Sequence, residues 1–185
     1  MSTNKEHVDR ALIRRCLDGE PRAQKELYER YSGKMYALCL RYCDNRDTAK
    51  DMLQEGFVRV FRSLANFRHE GSFEGWMKRI MVNQCIEQYR KEQSDPWFSD
   101  VQEAHHIGVD DHAFSRLGMQ DLMRAVQSLP RGYRTVFNLY AIEGYTHKEI
   151  GIQLGISENT SKTQLLKARN MLKRIIAAME GSSHG

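Results

Sequence analysis

Proline is scarce in this chain, with three in 185 residues. Val, Ile and Thr do not dominate either, while Leu, Met, Arg, Gln, Glu and Lys are plentiful, so the composition favours helix over strand. No run of about 18 apolar residues occurs, which excludes a transmembrane helix in the usual sense. Residues 1–7 (MSTNKEH) hold no apolar signal region. A cytoplasmic location is therefore expected, with no membrane insertion. Cysteine is used four times, at 16, 39, 43 and 85, without a Cys-x-x-Cys pair. Cys39 and Cys43 stand i, i+4 on an apolar helical pattern, and no nearby His completes a metal site. Packed thiols in a reducing compartment are the expectation, with a metal site as the alternative.

The sequence has a charge layout in three parts. Residues 1–92 hold 18 Lys and Arg against 14 Asp and Glu, residues 93–118 hold 1 against 5, and residues 119–185 hold 9 against 5. Two basic blocks thus flank an acidic connector, a layout that suits a polyanionic partner better than the net charge of +4 alone.

Helical periodicity organises both blocks. Val8, Leu12, Ile13 and Leu17 give a short amphipathic helix over 8–17, with Gly19 ending it and Pro21 suited to the first turn of the next. Residues 21–43 carry a stripe through Leu27, Tyr28, Tyr31, Met35, Leu38 and Tyr42. The polar run 44–48 reads as a turn with caps. Leu53, Phe57, Val60 and Leu64 mark a helix over 48–64, and residues 73–92 are helical again. From Gln93 to Gly118 the periodicity fades around Asp95, Pro96 and Gly108, as in a linker. Two helices follow over 119–128 and 131–142, split at Pro130. The tail 181–185 is expected to be disordered.

Residues 146–169 (THKEIGIQLGISENTSKTQLLKAR) have the pattern of a helix-turn-helix. Thr146 and Glu149 have capping-box spacing. Ile150 and Leu154 line one face, Gly155 suits a left-handed turn, Ile156 fills the corner and Ser157 can cap a second helix. That helix has an interior stripe of Ser161, Leu165, Ala168 and Leu172, and an outer face of Glu158, Asn159, Lys162, Lys167 and Arg169. Such a helix can present its first turns to base edges while its later cations reach phosphates.

Two further groups of residues carry candidate function. Asp51, Gln54 and Glu55 share a helix face. They read as a solvated acidic face, as a catalytic or metal-binding pair lacking a third ligand, or as a docking face for a basic helix. Phe67, Arg68 and His69, followed by Phe73, Trp76, Arg79 and Asn83, interleave aromatics with an Arg and an amide. That mixture suits unstacked bases of a single strand, although the aromatics also fit a core.

Taken together these residues resemble a bacterial RNA polymerase sigma factor of the extracytoplasmic-function group. The resemblance rests on residues 19–31 (GEPRAQKELYERY), 49–57 (AKDMLQEGF) and 73–83 (FEGWMKRIMVN) for region two. For region four it rests on 129–137 (LPRGYRTVF), 143–150 (EGYTHKEI) and the helix-turn-helix. It implies an all-α fold of two small domains, region two over 8–92 and region four over 119–180, joined by the linker 93–118. The linker would thread the polymerase cleft near the RNA exit path. The resemblance further implies that Asp51, Gln54 and Glu55 dock on the coiled coil of the polymerase's largest subunit, with the flap region as a second polymerase contact. Phe67, Arg68 and His69 would capture a flipped base of the −10 element, and Trp76, Arg79 and Asn83 would help hold the opened strand. Ser157, Glu158, Asn159, Lys162 and Thr163 would read the −35 element, with Lys167 and Arg169 on its backbone. Promoter DNA, core polymerase and an anti-sigma factor are the implied partners, and neither a cofactor nor enzymatic activity is implied. Four positions depart from the family pattern. Ser161 stands where an apolar residue is common, Gln164 and Lys167 where Arg is common, and Glu87 where Asp is common. Loss of a cation at Gln164 would weaken phosphate anchoring and lower salt sensitivity. A stand-alone helix-turn-helix regulator and a metal-dependent nuclease using Asp51 and Glu55 are the competing readings.

Overall fold

The computed structural model describes residues 2–93 and 118–182, and the regular structure among them is helical. The connector expected over 93–118 therefore falls almost wholly outside the described residues, as does the end of the tail. The helices are α1 (Ser2–Leu17), α2 (Pro21–Tyr42), α3 (Arg46–Ser63), α4 (Phe73–Gln93), α5 (Met119–Gln127), α6 (Arg131–Phe137), α7 (His147–Leu154) and α8 (Glu158–Ser182). They form two compact units. One contains the described residues to Cys39 together with Asn45–Cys85, and the other contains Leu40–Asp44 and the described residues from Ile86 on.

In the first unit the expected stripes form the core, except that Leu17 and Tyr28 are exposed because they lie at the edge of the packed face. Leu27, Tyr31, Met35 and Leu38 of α2 are buried, as are Leu53, Phe57 and Val60 of α3. Helix α1 begins six residues before the apolar pattern does. Periodicity marks only the face that packs, whereas a nucleated helix extends through polar residues at little cost. A buried polar contact ties α1 to α2. Asp9 accepts from the Tyr31 hydroxyl at 2.6 Å and from Arg30 at 3.3 Å. Burial, then the hydrogen bond to Asp9, pushes the Tyr31 phenol well above its ordinary value. Asn45 caps α3, its side-chain oxygen accepting from the backbone of Asp47 at 3.0 Å and of Thr48 at 2.8 Å. The cap starts α3 two residues earlier than the hydrophobic pattern alone indicates. All four cysteines are buried and none is in a disulfide.

In the second unit Ala125, Val126 and Leu129 pack on Ala168, Leu172 and Ile176 of α8. Arg134 is 1% exposed, and its guanidinium donates to the Gln127 carbonyl at 2.8 Å. The single helix expected over 131–142 is interrupted. After Phe137 the chain widens into a π turn, Asn138–Ile142. Periodicity cannot reveal such a turn, because it adds one residue without changing which side chains are apolar. Helix α8 runs on through Ser182, so the first two residues of the expected loose tail are helical, and the other three lie outside the described residues.

The α7–α8 corner follows the sequence closely. Thr146 and Glu149 form the reciprocal capping box. Gly155 ends α7 at φ 69° and ψ 31°, in the left-handed region that favours glycine. Its N–H bonds to the Gly151 carbonyl, as does that of Ile156 at 3.0 Å. Gly151 matters for a different reason. A Cβ there would lie 2.8 Å from the backbone oxygen of Ile156, so the turn can fold back only against a bare Cα. Gly151→Ala should destabilise the C-terminal unit by about 1–3 kcal/mol, the usual range for overpacking a site that cannot yield. A urea melt of the variant superimposing on that of the parent would show that the turn does yield.

Candidate nucleic-acid interface

Loop 67–72 is built on an aromatic cluster in the first unit. Phe67 contacts Phe73, Trp76 and His69 at ring-centroid distances of 5.2, 5.5 and 4.7 Å. Phe73 stacks on Trp76 and meets Tyr31 edge-on. Phe67 is 9% exposed and Phe73 4%, so both rings serve as the floor of the loop rather than as open stacking faces. Ser72 starts α4 by accepting from the Gly75 N–H at 3.1 Å. His69 is held at φ 59°, a left-handed conformation that is uncommon for a residue with a Cβ. Its ring lies against Phe67, and Arg68 and His69 are both exposed. Trp76 is half-buried, while Arg79 and Asn83 are exposed along α4. A cavity of about 150 Å³ opens beside the loop, lined by Phe67, His69, Ser72 and Phe73 together with Asp9 and Arg10 of α1.

On α3, Asp51, Gln54 and Glu55 are all exposed. The Gln84 amide of α4 donates to the Glu55 carboxylate at 3.0 Å and so orients it. Val58 stands one turn further along, 47% exposed. Among the described residues no three His, Cys, Asp or Glu side chains gather as a metal site, so Asp51 and Glu55 have no third ligand there. No helix among those residues is long and apolar enough to cross a membrane.

On α8, Glu158, Asn159, Lys162 and Thr163 are exposed within the first two turns. Lys162 pairs with Glu158 at 2.7 Å, and this contact holds the Glu158 carboxyl below its ordinary range. An exposed pair of this kind is weak and can exchange for a phosphate. The Ser157 hydroxyl is occupied in capping, accepting from the Thr160 N–H at 2.9 Å. Lys167 is half-buried and Arg169 exposed.

The chain matches the family model for Sigma-70 region 2 over residues 27–94 and that for Sigma-70 region 4 over 119–172. It is 32% identical over 158 residues to the ECF RNA polymerase sigma factor SigE of Mycolicibacterium smegmatis, covering 82% of this chain and 61% of that protein. Against SigW of Bacillus subtilis, another ECF RNA polymerase sigma factor, it is 28% identical over 175 residues, covering 88% and 93%. The sigma factor RpoE of Bartonella quintana, solved in complex with the anti-sigma factor NepR, shares the fold. Its TM-score is 0.50 at 20% identity, over 83% of this chain and 96% of that one. The chain belongs to the ECF sigma factors.

Two of the three departures on α8, Ser161 and Gln164, have structural explanations. Ser161 is fully buried, and its hydroxyl lies 2.9 Å from His147 Nδ1. The polar residue is tolerated on the interior stripe because it has a partner. The Gln164 amide oxygen is buried, and the side chain packs beside Gly132 of α6. Gln164 is thus half-buried against α6. Sequence reading passed over Tyr133, Tyr140 and His147. His147 stacks on Tyr140 at 4.4 Å with 20° between planes, and Lys167 and Arg169 lie over Tyr133 and Tyr140. Leu166, 55% exposed beside Lys162 and Thr163, is also new to this face.

Burial lowers the His147 pKa, and Lys162 adds to this, with Arg169 acting in the same direction and Glu158 opposing. A histidine lowered on folding binds fewer protons folded than unfolded. The C-terminal unit therefore loses stability as pH falls below the unfolded value of about 6.5 toward the folded one, and has no such penalty above it. An NMR titration of the His147 ring should give a midpoint below 6.5. Lys162→Ala should move it upward, and a midpoint at or above 6.5 in the parent chain would contradict the assignment.

Proposed function

We propose that this chain directs promoter-specific transcription initiation by presenting two nucleic-acid-reading surfaces, each fixed to core RNA polymerase. Region two, residues 8–92, supplies the main docking face and the strand-opening loop. Region four, residues 119–180, supplies the duplex reader, and the acidic segment 93–118 joins them. The observation that carries the reading is that one chain holds an outward-facing helix-turn-helix and, in a separate unit, a rigidly floored loop with exposed Arg68 and His69 beside a cavity. A stand-alone regulator would need only the first.

The α3 face suits a basic helical partner such as the coiled coil of the polymerase's largest subunit. Asp51 and Glu55 supply charge, Gln54 supplies hydrogen bonds, and exposed Val58 supplies an apolar centre. Region four has the flap region of the polymerase as its second anchor. At the −10 element, a base leaving the stack enters the cavity beside loop 67–72. Arg68 meets the backbone, and the half-exposed Trp76 with Arg79 and Asn83 holds the strand. At the −35 element, Asn159, Lys162 and Thr163 reach base edges, Ser157 and Glu158 set the first turn, and Lys167 and Arg169 take phosphates. The factor carries no chemistry of its own and works in the cytoplasm with the polymerase. An anti-sigma factor that covers these faces would hold it inactive.

Purified protein added to core polymerase should yield promoter-dependent transcripts from genomic fragments. Failure to bind core, with no transcript from any fragment, would overturn the proposal. The two surfaces separate by mutation. Asp51→Lys with Glu55→Lys should weaken binding to core on the order of tenfold or more, since it places like charges against a basic partner. Trp76→Ala should leave core binding intact and reduce strand opening, read by permanganate reactivity, by about tenfold, as expected for loss of one base–aromatic contact.

A further inference from the structure

Two cations of α8 lie over tyrosine rings. Lys167 Nζ stands 5.9 Å from the ring centroid of Tyr133, and Arg169 Cζ stands 5.8 Å from that of Tyr140. Both fall within the reach of about 6 Å over which a cation is drawn to an aromatic face. Tyr133 belongs to α6, and Tyr140 to the π turn that follows it. The Tyr140 ring also stacks on His147, whose Nδ1 lies 2.9 Å from the buried Ser161 hydroxyl. A chain of contacts thus runs from the interior of α8 through Ser161, His147 and Tyr140 to exposed Arg169.

Residues two apart on an α-helix point about 160° apart around its axis. Lys167 and Arg169 therefore leave α8 on opposite flanks, and by the same geometry exposed Asn159, Thr163 and Leu166 lie between them. We propose that Tyr133 and Tyr140 are positioning residues that preset Lys167 and Arg169 as paired phosphate clamps, one on each flank of the base-reading face, each meeting one wall of the DNA major groove. A long cationic side chain loses rotamer freedom when it captures a phosphate. A ring beneath the cation restricts it beforehand and leaves its outer side open to the DNA. The proposal rests on the reading of α8 as the −35 recognition helix.

The test uses holoenzyme assembled from the full chain and core polymerase, with a fluorescent promoter duplex chosen by transcript mapping. Tyr140→Leu keeps apolar bulk but removes the aromatic face, and should weaken promoter binding about two- to fivefold. Tyr140→Phe keeps the face and should bind like the parent. Tyr140→Leu should add no further loss to Arg169→Ala, but should multiply the loss from Lys162→Ala. The Tyr133–Lys167 pair should behave alike, and it carries the test if Tyr140→Leu fails to fold and no longer binds core. Tyrosine and cation losses that multiply independently in the cycles, or a Phe variant as weak as the Leu variant, would overturn the clamp while leaving the −35 reading standing. Parent-like binding by Lys162→Ala, Arg169→Ala and Lys167→Ala alike would overturn both.

Discussion

The outward face of the recognition helix depends on how closely α7 and α8 meet at their corner. Gly151 lets the backbone of the turn come to within what would be 2.8 Å of a side-chain carbon. Gly155 reverses the chain in the left-handed region, and Ser157 restarts the helix. With the corner set, Ile150, Leu154, Leu165 and Ala168 are buried, and the large side chains left outside on α7 and α8 are polar apart from Ile152 and Leu166. A wider corner would turn the same α8 sequence to a different bearing. The base-reading stripe is thus a consequence of backbone sterics several residues away from it.

A comparable constraint governs the first unit. Loop 67–72 has few hydrogen bonds to hold its shape, and its conformation is set from beneath. Phe67 and Phe73 are buried against Trp76 and Tyr31, and the His69 ring lies on Phe67. A left-handed backbone at His69 opposes the usual preference of an L-residue by on the order of 1–2 kcal/mol. The aromatic packing offsets it. The buried Asp9–Tyr31 contact brings α1 alongside, which closes the cavity on its far side. A loop floored in this way loses little freedom when a base arrives.

Most of the architecture was legible from local patterns. The stripes through Leu27–Leu38 and Leu53–Val60 fell inward because a helix repeats its faces every 3.6 residues. The Thr146–Glu149 box and Gly155 were legible because caps and left-handed turns demand particular residue types. Element edges were less so: Asn45 capped α3 ahead of its apolar pattern, and α8 outlasted it. The site residues were legible as types but not in their roles. Phe67, which suited both a base platform and a core, is 9% exposed and lies beneath the loop. Gln164, a position where a cation is missing, lies half-buried beside Gly132 of α6.

Sequence by itself determined the helical class, the helix-turn-helix and membership of a promoter-reading family, because each depends on periodicity, capping chemistry or motif order within short stretches of chain. Tertiary structure alone decided what partners the side chains have. Ser161 is acceptable in the interior because His147, fourteen residues earlier, supplies a hydrogen bond. Tyr140 can lie beneath Arg169 because a π turn inserts one extra residue and re-aims the ring. Neither contact leaves a periodic trace, since hydrogen bonds and ring faces depend on distance in space rather than on spacing along the chain.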